Sequence, residues 1–184
     1  SGDWSSDVCS SDLQEPFVIE SPSPIAYMVM RDRFDHFLLQ KARGAGAEIH
    51  EGEQAVNFQF LPDGVEVVTD RGCYHAKVVI GADGANSLVA RRLFPGRRSR
   101  IMPTLESEIE IGRAPVYPGE GQVLIDLGAA EKGYAWVFPK TEHLSIGVAE
   151  FRGRIGSPRR IFDRFIETDK LLSKLTIPQP FGHP

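Results

Sequence analysis

Apolar and polar positions alternate with period two through much of this chain, and runs at residues 47–51, 56–61, 65–69, 73–75 and 77–80 read as short strands. Pro62, Asp63 and Gly64 mark a hairpin turn between the second and third runs. Upstream, residues 28–30 read as a strand running into a helix. Asp32 is its expected N-cap, Phe34, Phe37, Leu38, Ala42 and Ala45 recur at helical spacing, and Gly44 and Gly46 supply the stop. Leu88, Val89, Arg91, Arg92 and Leu93 predict a second helix. After Pro103 the pattern changes. Glu106, Glu108 and Glu110 alternate with Leu105, Ile109 and Ile111, and Val123, Ile125 and Leu127 alternate in the next run. With further strands at 134–138 and 144–151, these predict an antiparallel sheet of about four members. Ser157 and Pro158 open a last helix, whose Ile161, Phe162, Phe165, Ile166, Leu171, Leu172 and Leu175 are expected to cover that sheet. The expected fold class is α+β.

Two segments carry candidate chemistry. Tyr134, Trp136 and Phe138 stand two residues apart, so in an extended strand all three rings face one way, with Ala135 and Val137 on the opposite face. Such a wall suits a long, flat, apolar ligand. It equally suits a core strand of a sheet buried on both faces. The second segment is a strand, a tight turn and a helix start around Gly81-Ala82-Asp83-Gly84-Ala85-Asn86-Ser87. Its glycines let backbone approach a ligand, the amides of the helix's first turn offer donors to phosphate, and Asp83 adds an acceptor. An Asp-Gly turn by itself needs no cofactor.

The run Gly133 to Lys140, followed by Gly147, resembles the Tyr-x-Trp-x-Phe-Pro signature of the geranylgeranyl reductase family, flavoenzymes that hydrogenate double bonds of isoprenoid chains. It departs from the family at Glu131, where many members carry proline. The turn at residues 81–87 resembles the Asp-Gly motif shared by flavin-dependent hydroxylases and these reductases. Arg31, followed by Phe34 and Asp35, is similar to a family arginine whose side chain approaches the flavin; apart from that resemblance Arg31 reads as a solvated surface charge. The resemblance implies FAD as cofactor, contacted through Arg31, Gly81, Ala82, Asp83 and Gly84, with NAD(P)H as a candidate reductant. It implies that Tyr134, Trp136, Phe138, Pro139 and Gly147 contact an isoprenoid or prenylated lipid. No catalytic residue is assigned. Tyr134 and His143 are proton-donor candidates by residue type alone, against readings as a tunnel wall and a turn residue.

The implied architecture is part of a hydroxylase-like FAD-binding domain at residues 14–97, then a β-sheet substrate domain with a covering helix at 98–176. Residues 177–184 would lead back to the FAD domain. Residues 1–13, rich in serine and aspartate and without strand or helix period, read as a non-native or disordered leader, with the sequence of a translated sequencing adapter. The Gly-x-Gly-x-x-Gly turn that opens flavoproteins of this type is not present in these residues; Gly44-Ala45-Gly46 comes nearest but follows a helix. The chain is therefore expected to be an internal fragment of a flavin-dependent isoprenoid reductase. The alternatives are an aromatic-ring monooxygenase or halogenase of the same fold, and a non-catalytic lipid-binding remnant.

Composition adds exclusions. A formal net charge of −4, with 25% charged residues and no basic-aromatic stripe, argues against a nucleic-acid partner. Two cysteines, Cys9 and Cys73, are too few for a metal site or disulfide framework, which fits a reducing, cytoplasmic setting. Peripheral contact with a membrane follows only from the implied apolar substrate, and the oligomeric state is left open.

Overall fold

The computed structural model describes residues 6–10, 16–97, 102–112, 117–119, 121–130, 132–151 and 157–183. Part of the expected leader, Glu131, and the arginines at 98 and 100 lie outside the described residues. In chain order the elements are β1 (Ser6–Ser10), β2 (Pro16–Glu20), α1 (Arg31–Gly44), β3 (Ala55–Leu61), β4 (Gly64–Thr69), β5 (Cys73–Ala76), α2 (Leu88–Leu93), β6 (Thr104–Glu110), β7 (Gln122–Asp126), β8 (Gly133–Pro139), β9 (His143–Glu150), α3 (Pro158–Thr168), a 3-10 turn (Leu172–Lys174) and β10 (Phe181–His183). They fall into two compact units, residues 1–34 with 102–184, and residues 35–101.

The first unit is built on a seven-stranded sheet in the order β10-β6-β9-β8-β7-β1-β2. Every pairing is antiparallel except that of β1 with β7. The expected four strands form its centre, and β1, β2 and β10 extend it. β1 falls in the segment read as lacking any strand period; its ladder bonds are main-chain bonds, which need no alternation of side chains. One sheet face is sealed by α3 and the turn after it. Phe162, Phe165 and Leu172 pack there against Ile109, Ala135, Val137, Leu144, Ile146 and Val148. Full burial of a Phe or Leu side chain is worth about 2 kcal/mol, so this contact carries much of the unit's stability.

Details of this layer differ from the sequence reading. Leu171 and Leu175 stay largely exposed, because the Asp169 carboxylate takes the Leu171 and Leu172 amides at 2.8 Å and turns the chain out of the helix. Ser157 sits at the N-cap ahead of Pro158, yet it caps through its carbonyl, which accepts from Arg160 and Ile161, and its hydroxyl makes no cap bond. In β7 it is Leu124, opposite Val137, that packs on the core; Ile125 faces the other way and Leu127 is exposed beyond the strand's end.

In the second unit β3, β4 and β5 form a three-stranded antiparallel sheet, with Pro62 and Asp63 turning the first hairpin as expected. The predicted strands at 28–30, 47–51 and 77–80 are not formed. Residues 77–80 pair with no strand among the described residues, and Val78 and Ile80 remain 76% and 86% exposed. Met30, not Asp32, occupies the cap of α1, since the Met30 carbonyl accepts from the Phe34 amide at 2.9 Å. Asp32 lies in the first turn, where its charge complements the helix dipole. No residue of α1 is buried; Phe34, Phe37 and Leu38 are exposed. Among the described residues no helix is long and apolar enough to cross a membrane.

Candidate functional site

The face of the sheet opposite α3 carries the aromatic residues. Directly opposed residues in a ladder share a face, so register fixes its members. Trp136 stands opposite Ile125 on one side and Gly147 on the other, Tyr134 opposite Ala149, and Phe138 opposite Ser145. Beyond β9, Glu106 pairs with Gly147 and Glu108 with Ser145. The Trp136 and Phe138 rings are stacked, with centroids 5.9 Å apart and planes 25° apart. Tyr134 lies 5.8 Å from Trp136 and 5.9 Å from Phe151, so the row runs to four rings. Phe151 was missed as a member; its even spacing from Gly147 and Ala149 is the signal that places it.

Trp136 is 7% exposed, while Tyr134 and Phe138 are half-buried. Ala135 and Val137 belong to the core under α3, and Trp136 lies outside that cluster, on the other face of the sheet. The indole rests on Gly147. A Cβ at residue 147 would come within 2.1 Å of Trp136 Cζ2 and 2.5 Å of Cη2. Pro139 ends β8 opposite Leu144 and is buried. His143 opens β9 and exchanges backbone hydrogen bonds with Lys140, at 2.7 and 3.4 Å, which makes it part of the turn.

A polar row borders the rings. Ser145 Oγ accepts from Trp136 Nε1 at 3.4 Å and donates to Glu106 Oε1. Lys140 Nζ is paired with Glu108 Oε1. These four residues drew no functional reading from sequence, because the glutamates alternate like an ordinary solvated strand face and their neighbours come from distant strands.

In the other unit, the loop at 81–84 is organised by Asp83. Its carboxylate accepts from the Ser87 hydroxyl at 2.5 Å and from the amides of Leu88 and Val89 at 2.6 and 3.2 Å, while Ser87 Oγ takes the Ala90 amide at 2.8 Å. The Ser87 hydroxyl, then the backbone donors, hold the Asp83 carboxyl below the usual aspartate range against an opposing desolvation effect. The first-turn amides of α2, expected as phosphate donors, are thus taken by the chain's own side chains. Gly81 packs against α2: a Cβ there would meet Val89 Cβ at 2.7 Å. Gly84 has φ +75, in the left-handed region, and open space where a side chain would stand, so a ligand could approach its backbone there. Ala82 is exposed between them. Arg91 donates to the Asn86 carbonyl at 2.5 Å and Arg92 to Asn57 Oδ1 at 2.6 Å, so both bind within this unit.

Arg31 opens α1 and is exposed. The predicted site residues accordingly divide: Tyr134, Trp136, Phe138 and Gly147 share one sheet face, Pro139 lies opposite Leu144 on the other, core-facing side, and residues 81–84 form one loop in the second unit.

No family model matches the chain. It is similar to FixC of Escherichia coli K12, 41% identical over 86 residues, which cover 46% of this chain and 19% of that protein. It is also similar to the chloroplastic geranylgeranyl diphosphate reductase of Oryza sativa, 28% identical over 148 residues, covering 69% of this chain and 31% of that one. Among solved structures, a geranylgeranyl bacteriochlorophyll reductase-like protein of Thermoplasma acidophilum aligns over 98% of the chain and 50% of its own length, with TM-score 0.74 and 23% identity. The flavin-dependent halogenase CmlS aligns over 98% of the chain and 37% of its own length, with TM-score 0.72 and 20% identity. The structural matches establish the fold as that of these FAD-binding oxidoreductases and halogenases. The chain spans about one third or less of the two curated relatives named above and half or less of the two solved structures.

Proposed function

We propose, from the premise that this chain belongs with the FAD-dependent oxidoreductases related to FixC and geranylgeranyl diphosphate reductase, that it is a segment of a reductase acting on C=C bonds of an isoprenoid chain. The observation that carries this reading is the aromatic row of three rings from β8 and Phe151 after β9, with the Trp136 indole filling the space over Gly147 and separate from the core beneath α3. An isoprenoid chain is long and apolar, with a methyl branch on each unit, and rings in a row match it by contact area without needing directional bonds.

The residues fit a flavin at one point in particular. Gly84 offers backbone that a dinucleotide can approach, and Asp83 fixes that loop by capping α2. Gly81, Ala82, Asp83 and Gly84 would lie along FAD, and the place of Arg31 beside it rests on the family resemblance alone. When bound and reduced, a flavin would supply a hydride equivalent to one alkene carbon, and water or an acid would supply the proton to the other. The work of this chain is to hold the alkene against the Tyr134, Trp136 and Phe138 rings and to keep water from it. NAD(P)H is the proposed source of electrons, a prenylated compound the substrate, and the membrane surface the place where such a substrate is met.

A halogenase or monooxygenase is the rival that the fold itself allows, given the match to CmlS. The test is anaerobic turnover by the complete protein containing this segment, with dithionite-reduced flavin and geranylgeranyl diphosphate. A product heavier by two hydrogens for each double bond reduced is expected. No such product, together with halogenation or hydroxylation of an aromatic compound in air, would favour the rival.

A further inference from the structure

The geometry points to Ser145 and Glu106 as positioning residues that fix the plane of the Trp136 ring. An indole N–H in a dry site needs an acceptor, and Trp136 is buried. Its acceptor is Ser145 Oγ, itself 2% exposed. A serine hydroxyl has one proton and can swing it in several directions. Here Glu106 Oε1 accepts the hydrogen bond from that hydroxyl, which turns the serine's lone pairs toward the indole. The relay has one direction only, because a carboxylate accepts and does not donate.

The two constraints on the ring are complementary. Gly147 removes the obstacle beneath it, and Ser145 holds its polar edge from the side. At 3.4 Å the N–H bond is long and contributes little energy, so its effect is orientation. The register explains why these residues are the ones used: Glu106 lies opposite Gly147, and Ser145 opposite Phe138, so both flank the indole on the ring-bearing face. With the ring fixed, the stacking of Trp136 on Phe138 is maintained, and the wall presents one shape to an apolar chain. That last consequence rests on the isoprenoid reading; the clamp itself does not.

The chain has two tryptophans, so Trp4→Phe leaves Trp136 as the sole emitter. In that background Ser145→Val and Ser145→Thr differ by little more than the hydroxyl. The valine variant should shift Trp136 emission to the blue and add a fast depolarisation phase, and the threonine variant should resemble the parent. Glu106→Ala should move the signals the same way, while Glu106→Gln, which still accepts from Ser145, should not. In the complete protein, Ser145→Val should raise KM for the isoprenoid several-fold at unchanged flavin content. Identical emission and anisotropy in folded valine and threonine variants would overturn the clamp. Should residue 145 tolerate neither, the Glu106 pair decides by the same comparison. A parent with no isoprenoid turnover would sink the substrate reading alone, with the fluorescence still deciding the clamp.

Discussion

Gly147 faces Trp136 across the β8–β9 ladder, and the space its missing side chain leaves is filled by the indole, whose Cζ2 lies 2.1 Å from where a Cβ would be. Glycine is needed here for room. Gly147→Ala forces the ring, the strand or both to shift. Overpacking of this kind costs about 1–3 kcal/mol. At this chain length each kcal/mol lowers Tm by about 2–4 °C. Thermal unfolding followed by near-UV circular dichroism should show both the lower Tm and an altered tryptophan band. A band and Tm like the parent's would mean that the indole does not rest on β9.

Removing the ring tests function separately from fold. Trp136→Ala in the complete protein should lower kcat/KM for an isoprenoid by about tenfold or more, the scale of losing about 1.4 kcal/mol of transition-state contact. Bound FAD per protein should stay near the parent's, since Trp136 and the loop at 81–84 belong to different units. The check is a paired measurement of turnover and flavin absorbance. Loss of flavin with unchanged activity per bound flavin would count against a substrate-facing role.

How much of this was legible beforehand depends on the range of the interaction. The β3–β4 hairpin, α2 and the ring-bearing strand β8 follow from local signals: a Pro-Asp-Gly turn, Ser87 at a helix start, and period-two aromatics. Ser145 and Glu106 were not legible as partners of Trp136, because their meeting depends on the register of three strands brought together from residues 104 to 150. Residues 77–80 went wrong for the converse reason. Their apolar pattern is a good strand pattern, but a strand is defined by a neighbour, and the described residues supply none. The role of Asp83 was half visible: its position at a turn was clear, and its choice of the α2 amides over a ligand required coordinates.

That choice gives a pH dependence. The Asp83 carboxyl titrates below its ordinary value of 3.8 in the folded chain, through the Ser87 hydroxyl first and the α2 amides after it. A group whose folded pKa is depressed stabilises the fold above its unfolded pKa, and that contribution is lost as pH falls through the folded value. The cap should therefore be intact at neutral pH and loosen only below about pH 3.8. Asp83→Ala should imitate the acid state at neutral pH. Amide exchange at Leu88 and Val89 is the readout, and both should exchange faster in the variant. Unchanged protection in Asp83→Ala would show that the bonds do not hold the helix start.

Gly81 and Val89 make a paired test in the same unit. A Cβ at residue 81 would sit 2.7 Å from both Val89 Cβ and Cγ1, so Gly81→Ala should destabilise by about 1–3 kcal/mol. Val89→Ala removes Cγ1 but keeps its Cβ, so in the double variant it should restore part of the loss and no more. A double-mutant cycle by urea unfolding measures that coupling. Additive losses would place the strain of Gly81→Ala in the backbone and not against α2.

Lys140 and Glu108 pose the opposite problem, a charge pair that matters through what its loss leaves behind. Their side chains are 11% and 24% exposed, and Glu108 Oε2 is buried with no hydrogen-bond partner among the described residues. Lys140 is therefore the main compensation for a carboxylate largely withdrawn from water. Lys140→Met would strand that charge, and a partly exposed site of this kind should lose about 1–3 kcal/mol, less than a fully buried pair. Glu108→Gln in the same chain removes the stranded charge, so the double variant should be more stable than Lys140→Met alone. Because the pair is shielded, 0.5 M salt should change the parent's stability little, in contrast to an exposed pair such as Arg159 with Asp163. Urea unfolding of the four proteins at low and high salt decides it. If the double variant is as unstable as the sum of its single changes, the two residues do not compensate each other, and the polar row beside the rings is held by its backbone ladder alone.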